Sequence, residues 1–220
     1  LTPFVVWALS GGRFPLALGV LQVLALDVGT DTAPAVALGG ERPAPGVLDR
    51  PPSSGRLINR TVAFRVFGVL GPTEALFSMS AFVAVFLAAG WRPGDPFPEG
   101  QVELMASGAA FTAVVAGQMA NAFACRSTTR WPGALGWTSN RLLLGAVAFE
   151  IVLAACFVAV TPLADLLGQA WPSAAGWLVV GLAAPALLLA DTTAKAVLRR
   201  QARRRRHGLG PGDPATRRDG

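Results

Sequence analysis

The chain has 220 residues, of which 52% are hydrophobic and only 15% charged, and its mean hydropathy is +0.48 with a formal net charge of +6. That balance excludes an ordinary soluble domain and points to a protein embedded in a bilayer. Two cysteines and one histidine exclude a disulfide framework and a zinc or copper cluster, and neither a GxxxxGK(S/T) nor a GxGxxG loop is present for a nucleotide. In chain order, Leu1 to Leu9 is apolar and Ser10 to Phe14 reads as a short turn before Pro15. Nine residues rise only ~14 Å at 1.5 Å each, half of a bilayer, so about 1–10 is expected to be a half-helix. The chain starts with Leu and has neither the basic start nor the small-residue cleavage site of a signal peptide. The economical expectation is a C-terminal piece of a larger protein, cut within a transmembrane helix.

The next stretch, about 16–38, is long enough to span, yet carries Asp27 and Asp31 near its middle. A charge at the bilayer centre costs at least ~2.5 kcal/mol on insertion scales, so an intramembrane carboxylate pair is by default a functional site. One helical turn apart, the two side chains share a face and can share a ligand. Pro34 cannot donate to the Thr30 carbonyl, and Gly29 loosens the same turn. Freed backbone oxygen beside the Thr30 hydroxyl and two carboxylates is the ligand mixture that hard cations prefer. The competing reading is a pair neutralised by protonation or salt-bridged to a neighbouring helix, with no transport role.

Four further apolar stretches follow at about 62–89, 104–124, 142–160 and 175–198, each able to span. Their continuous runs exclude an outer-membrane barrel, whose strands alternate at every second residue. The expected fold class is all-α, a polytopic membrane helix bundle of five full transmembrane helices plus the N-terminal half-helix. Residues 1–200 form that domain, and 201–220 a disordered basic tail.

Of the 19 Lys and Arg, 17 lie from Arg42 to Arg65, from Arg126 to Arg141, or from Lys195 onward. By the positive-inside rule these are the cytoplasmic connections, which puts the C-terminus in the cytoplasm. The alternate loops carry only Arg13 and Arg92, against Asp95, Glu99, Glu103 and Asp165. Directly after a membrane helix, Arg199 to Arg206 meets anionic headgroups more cheaply than nucleic acid, so no nucleic-acid partner is expected. Trp91, Trp131, Trp137, Trp171 and Trp177 lie near span ends, as interfacial anchors do. Glu74, behind Gly71 and Pro72, suits either a structural bridge between helices or an ion path. Gln118 and Asn121 suit helix-to-helix hydrogen bonding as well as ligation. Glu150, near the middle of its span, reads as functional or proton-linked. Asp191 reads as a structural partner of Lys195 one turn on.

Three ordered segments resemble the C-terminal membrane region of P-type cation-transporting ATPases, from the end of the fifth transmembrane helix through the tenth. The densest is LDVGTDTAPAVALGGERPAPGVLDRPP, Leu26 to Pro52, similar to the family's sixth helix and its cytoplasmic exit. GQMANAFACRS, Gly117 to Ser127, resembles the end of the eighth helix, and ADTTAKAVLRR, Ala190 to Arg200, the basic stop of the tenth. The resemblance implies a sixth helix unwound near its middle whose carboxylates bind the transported ion, here Asp27, Thr30 and Asp31. It further implies ligands at Gln118 and Asn121 on the eighth helix and at Glu150 on the ninth. The wording LDVGTD and the Gln118 and Asn121 pair point toward the sodium/potassium and proton/potassium subgroup, although Asn121 stands where sodium-type sites carry an acid.

What the resemblance implies for function is ATP-driven cation transport, with Ca2+, Na+, K+ or H+ as the transported ion, in a plasma-membrane pump. This chain holds no DKTG-type phosphorylation motif, and it is expected to bind no cofactor itself. ATP and Mg2+ belong to cytoplasmic domains outside it, so alone it is not an ATPase. Its partners are the bilayer and the rest of the pump. The loop from Gly90 to Gln101, about twelve residues, is much shorter than the loop that docks an accessory subunit in the animal pumps of the family it resembles, and no such subunit is expected. The alternative is a free-standing membrane scaffold or regulatory subunit descended from such a pump.

Overall fold

A chain in hydrocarbon must pair its backbone polar groups within itself, and among the described residues it does so chiefly through helices. The computed structural model describes residues 2–41, 60–127 and 130–208, with side chains through Gln201. The loop motif of 42–52, most of the basic segment before Arg60 and the end of the tail, 209–220, lie outside the described residues.

The half-helix α1 spans Thr2–Leu9. Ser10 ends it, its hydroxyl donating to the Trp7 carbonyl at 2.8 Å and accepting from the Phe14 amide at 3.0 Å. The carboxylate segment is not one helix over 16–38. It consists of α2, Val20–Leu24, a π turn, Ala25–Thr30, and α3, Thr32–Gly39. Extended backbone at Gly19 delays its start to Val20, and the Gln22 side chain caps that start by accepting from the Gly19 amide at 2.6 Å.

α4, Arg60–Arg65, passes through a second π turn, Val66–Leu70, into α5, Gly71–Ala88. α6 spans Gln101–Cys125, α7 Arg141–Ala159, α8 Thr161–Leu167 and α9 Ala174–Gly208. Among the described residues, four continuous helices are long and apolar enough to cross a membrane: Arg60–Ala88, Gln101–Cys125, Arg141–Ala159 and Ala174–Gln201. The broken carboxylate segment accompanies them in place of a fifth continuous rod. Two elements were not expected: α8 and a single 3-10 turn, Pro132–Leu135. α9 also continues as helix across 201–208, where a disordered tail was expected. Between Pro185 and Gly208 the sequence contains no helix breaker, and Ala, Gln and Arg all propagate a helix well.

The core is the mutual packing of α5, α6 and α9, with α7 laid against α3 on the flank. Phe82, Phe86 and Phe111 are fully buried there, among alanines such as Ala106, Ala109, Ala110 and Ala113. Those small side chains bring helices close, which is how membrane helices gain packing energy without a hydrophobic drive between them. Gly108 is the extreme case. A Cβ at this position would stand 2.0 Å from the Ala170 carbonyl oxygen, and Ala170 donates to the Leu104 carbonyl at 2.9 Å.

Buried polar groups tie the bundle at both ends. Towards the α8 end, Gln22 donates to the Ser107 hydroxyl at 2.9 Å and to Gln169 Oε1 at 2.7 Å, while Gln169 donates to the Phe157 carbonyl at 3.1 Å. At the opposite, basic end, fully buried Asp191 accepts from Arg65 Nε at 2.6 Å and meets Lys195 Nζ at 2.6 Å. The expected partner Lys195 is present, and Arg65 joins it. Lys195 also donates to the Ala124 and Arg130 carbonyls at 2.8 and 3.1 Å, so α4, α6 and α9 meet at one ionic knot.

Candidate cation site

The site begins with the backbone of the carboxylate segment. Pro34 has no N–H for the Thr30 carbonyl, and the turn before it adapts by slipping register. The Asp31 amide donates to the Leu26 carbonyl, five residues back, at 3.1 Å. A π turn of this kind is a frequent companion of functional sites. The resemblance had implied an unwound helix. The segment is widened instead, with the Asp31 amide reaching back five residues in place of four. Gly29, read above as a loosening residue, serves packing: a Cβ there would lie 3.3 Å from Leu153 and Phe157 of α7.

Thr30 is fully buried and points the other way, toward α6. Its hydroxyl lies 2.8 Å from the Leu26 carbonyl and 3.0 Å from Gln118 Oε1. One hydroxyl hydrogen serves one acceptor at a time, so Thr30 donates either to the Leu26 carbonyl or to Gln118 Oε1. This contact fixes the Gln118 side chain beside the carboxylates.

Asp27 and Asp31 face an open cavity of about 880 Å³ between the carboxylate segment, α1, α5 and α6. Gln118 and Glu74 line the same cavity, and Pro3 of the half-helix closes one side. Asp31 lies within electrostatic reach of Asp27, Glu74 and Glu150. Of the six expected ligands, Asp27, Asp31 and Gln118 therefore share the cavity, and Thr30 is joined to it through Gln118. Asn121 and Glu150 are not part of its lining. Asn121 accepts from the Cys125 thiol at 3.4 Å on its own helix. Glu150 is fully buried, and among the described residues neither carboxylate oxygen has a hydrogen-bond partner.

Glu74 is the residue that sequence reasoning left undecided. Its signal was present: an acid one turn after Gly71 and Pro72, next to a π turn that resets the rotation of the helix. Among the described residues, no three His, Cys, Asp or Glu side chains converge closely enough to hold a metal ion. What this chain presents is one acidic wall with an amide.

The end of the carboxylate segment is clamped from outside the bundle core. Arg126 binds Glu41 through two hydrogen bonds, at 2.8 and 2.9 Å, and also donates to the Gly136 carbonyl and the Ser139 hydroxyl. Asn140 donates to Glu41 at 2.9 Å and to the Ala37 carbonyl at 3.1 Å, while its own oxygen caps α7 at the Leu143 amide. The Arg126 hydrogen bonds hold the Glu41 carboxyl below the usual glutamate range. α3 is thereby anchored to the loop between α6 and α7.

Residues 15–197 match the family described as cation transporting ATPase, C-terminus. The chain is 24% identical over 205 residues to the sodium/potassium-transporting ATPase subunit alpha of Tetronarce californica, covering 80% of this chain and 20% of that protein. It is 25% identical over 230 residues to the subunit alpha-4 of Rattus norvegicus, covering 91% of this chain and 22% of that protein. Over a shorter stretch, 100 residues, it is 30% identical to the potassium-transporting ATPase alpha chain 2 of Oryctolagus cuniculus, covering 44% of this chain and 9% of that protein. The chain thus spans about a fifth of the length of the first two relatives.

Proposed function

The chain belongs to the cation-transporting ATPase C-terminal family, the membrane part of P-type pumps, and from that premise we propose that it supplies one wall of the pump's intramembrane cation site. The observation that carries the reading is the cavity into which Asp27, Asp31, Glu74 and Gln118 converge from three helical segments. Carboxylates and an amide compensate a cation for lost water, and helices packed through small side chains can shift against one another without losing their core. The free energy is supplied by ATP with Mg2+ at cytoplasmic domains outside this chain. Within it, tilting of the carboxylate segment against α5 and α6 opens the cavity alternately to the two sides.

In this reading the transported ion is Na+, K+, Ca2+ or H+. The basic end faces the cytoplasm, with the C-terminus, and the protein resides in the plasma membrane. The Arg126 clamp on Glu41 then sits at the cytoplasmic surface, where it links movement of α3 to the loop before α7. The test is ion-activated ATP hydrolysis by the full-length protein, titrated with each cation in turn. Asp31→Asn is expected to raise the half-activating concentration of the transported ion at least about tenfold, the worth of ~1.4 kcal/mol. Unchanged half-activation for every cation in Asp27→Asn and Asp31→Asn would remove the site assignment.

A further inference from the structure

Away from the carboxylate cavity, a groove of about 820 Å³ runs between the α4 segment with its π turn and the last turns of the apolar part of α9. Its character changes along its length. Phe64, Val69 and Ala194 line the part nearer the bundle centre, while Arg60, Thr61 and Gln201 line the basic end. From Arg60 to Val69 the helix rises ~14 Å at 1.5 Å per residue, close to the ~15 Å depth of one leaflet's hydrocarbon.

The polar end has donors in excess. Arg65 and Lys195 are already committed to Asp191, but Arg60 is exposed and, among the described residues, has no carboxylate partner. The side chains of Thr61 and Gln201 likewise make no hydrogen bond among the described residues. Among the described residues, no acid lines the groove. A helix from another membrane protein arrives with its backbone satisfied and its lipid-facing side chains apolar, which would leave these donors unfilled. Inorganic phosphate would answer the donors but not the apolar length. An amphiphile with an anionic head and a hydrocarbon tail answers both.

We propose that this groove binds one anionic glycerophospholipid, its phosphate on Arg60, Thr61 and Gln201 and an acyl chain along Phe64, Val69 and Val197. The full-length protein, reconstituted in nanodiscs of mixed phosphatidylserine and phosphatidylcholine and examined by native mass spectrometry, tests this. The wild type is expected to retain one phosphatidylserine after the annular lipid is stripped. Arg60→Gln lowers that retention by about fivefold, the factor that one basic side chain is worth at an anionic surface, and Arg60→Lys restores it. Val197→Trp, at an exposed position in the groove, abolishes retention, and Arg92→Gln in a distant loop leaves it unchanged. Equal retention of phosphatidylcholine, or no effect of Arg60→Gln, overturns the proposal. So does a photocrosslinker at Val197 that captures a polypeptide in place of lipid.

Discussion

Asp191→Asn is the most demanding perturbation of this fold. The wild-type carboxylate is fully buried and neutralises two cations, Arg65 Nε at 2.6 Å and Lys195 Nζ at 2.6 Å. Removing its charge leaves two buried cations with neutral acceptors alone among the described residues: the new amide oxygen, the Ala124 carbonyl, at 3.1 Å from Arg65 and 2.8 Å from Lys195, and the Arg130 carbonyl. Breaking a buried ion pair by deleting one partner costs about 3 to 5 kcal/mol, and the retained carbonyl contacts place this case near the lower end, ~3 kcal/mol. At ~2 to 4 °C per kcal/mol for a chain of this size, the melting temperature should fall by ~6 to 12 °C. Thermal unfolding in detergent, followed by tryptophan fluorescence, measures it. The triple variant Arg65→Met, Asp191→Leu, Lys195→Met should recover most of the loss, since a buried ionic cluster exchanged for apolar groups of similar volume is close to neutral. A fall of less than ~2 °C for Asp191→Asn, or a triple variant as unstable as the single one, would show that the knot is solvated and the reasoning wrong.

Two other outcomes follow from particular contacts. Gly108→Ala places a methyl 2.0 Å from the Ala170 oxygen, so α6 must part from the loop before α9; the expected cost is about 3 kcal/mol by the same melting assay, and a neutral result would mean that this approach is not held in the membrane. Glu41 has its folded carboxyl held below 4.5, chiefly by Arg126, so its contribution is fully present above that pH and is lost as pH falls through the lower folded value. The melting-temperature gap between wild type and Glu41→Gln should therefore be constant at neutral pH and narrow in acid; a gap independent of pH would break the link to Arg126.

That Asp27 and Asp31 face one cavity was suggested by their spacing, because residues about one turn apart on a helix lie near one another, and the π turn that runs through Asp27 leaves both on the cavity wall. Thr30 was legible as well, although not its direction: it turns from the cavity toward Gln118, a contact across 88 residues that local periodicity cannot encode. Glu74 and Asn121 show the converse. Both are polar residues in apolar helices, and only the rotation of α5 and α6 decides that the first lines the cavity and the second does not. Glu150 could be recognised as an acid in an expensive place, but its lack of any hydrogen-bond partner among the described residues is a property of how α7 sits against its neighbours.

The sequence by itself determined that this is an all-helical membrane protein of a cation-pump family, because hydropathy, the sign of the loops and three motif segments are each local quantities. Only the tertiary structure decided that the carboxylate segment widens into a π turn, that Arg65 joins the Asp191 and Lys195 pair, and that Glu74 lines the cavity beside the two aspartates. Each of these depends on helix rotation and on close approach at positions such as Gly29 and Gly108, which are set by contacts between residues far apart in the chain.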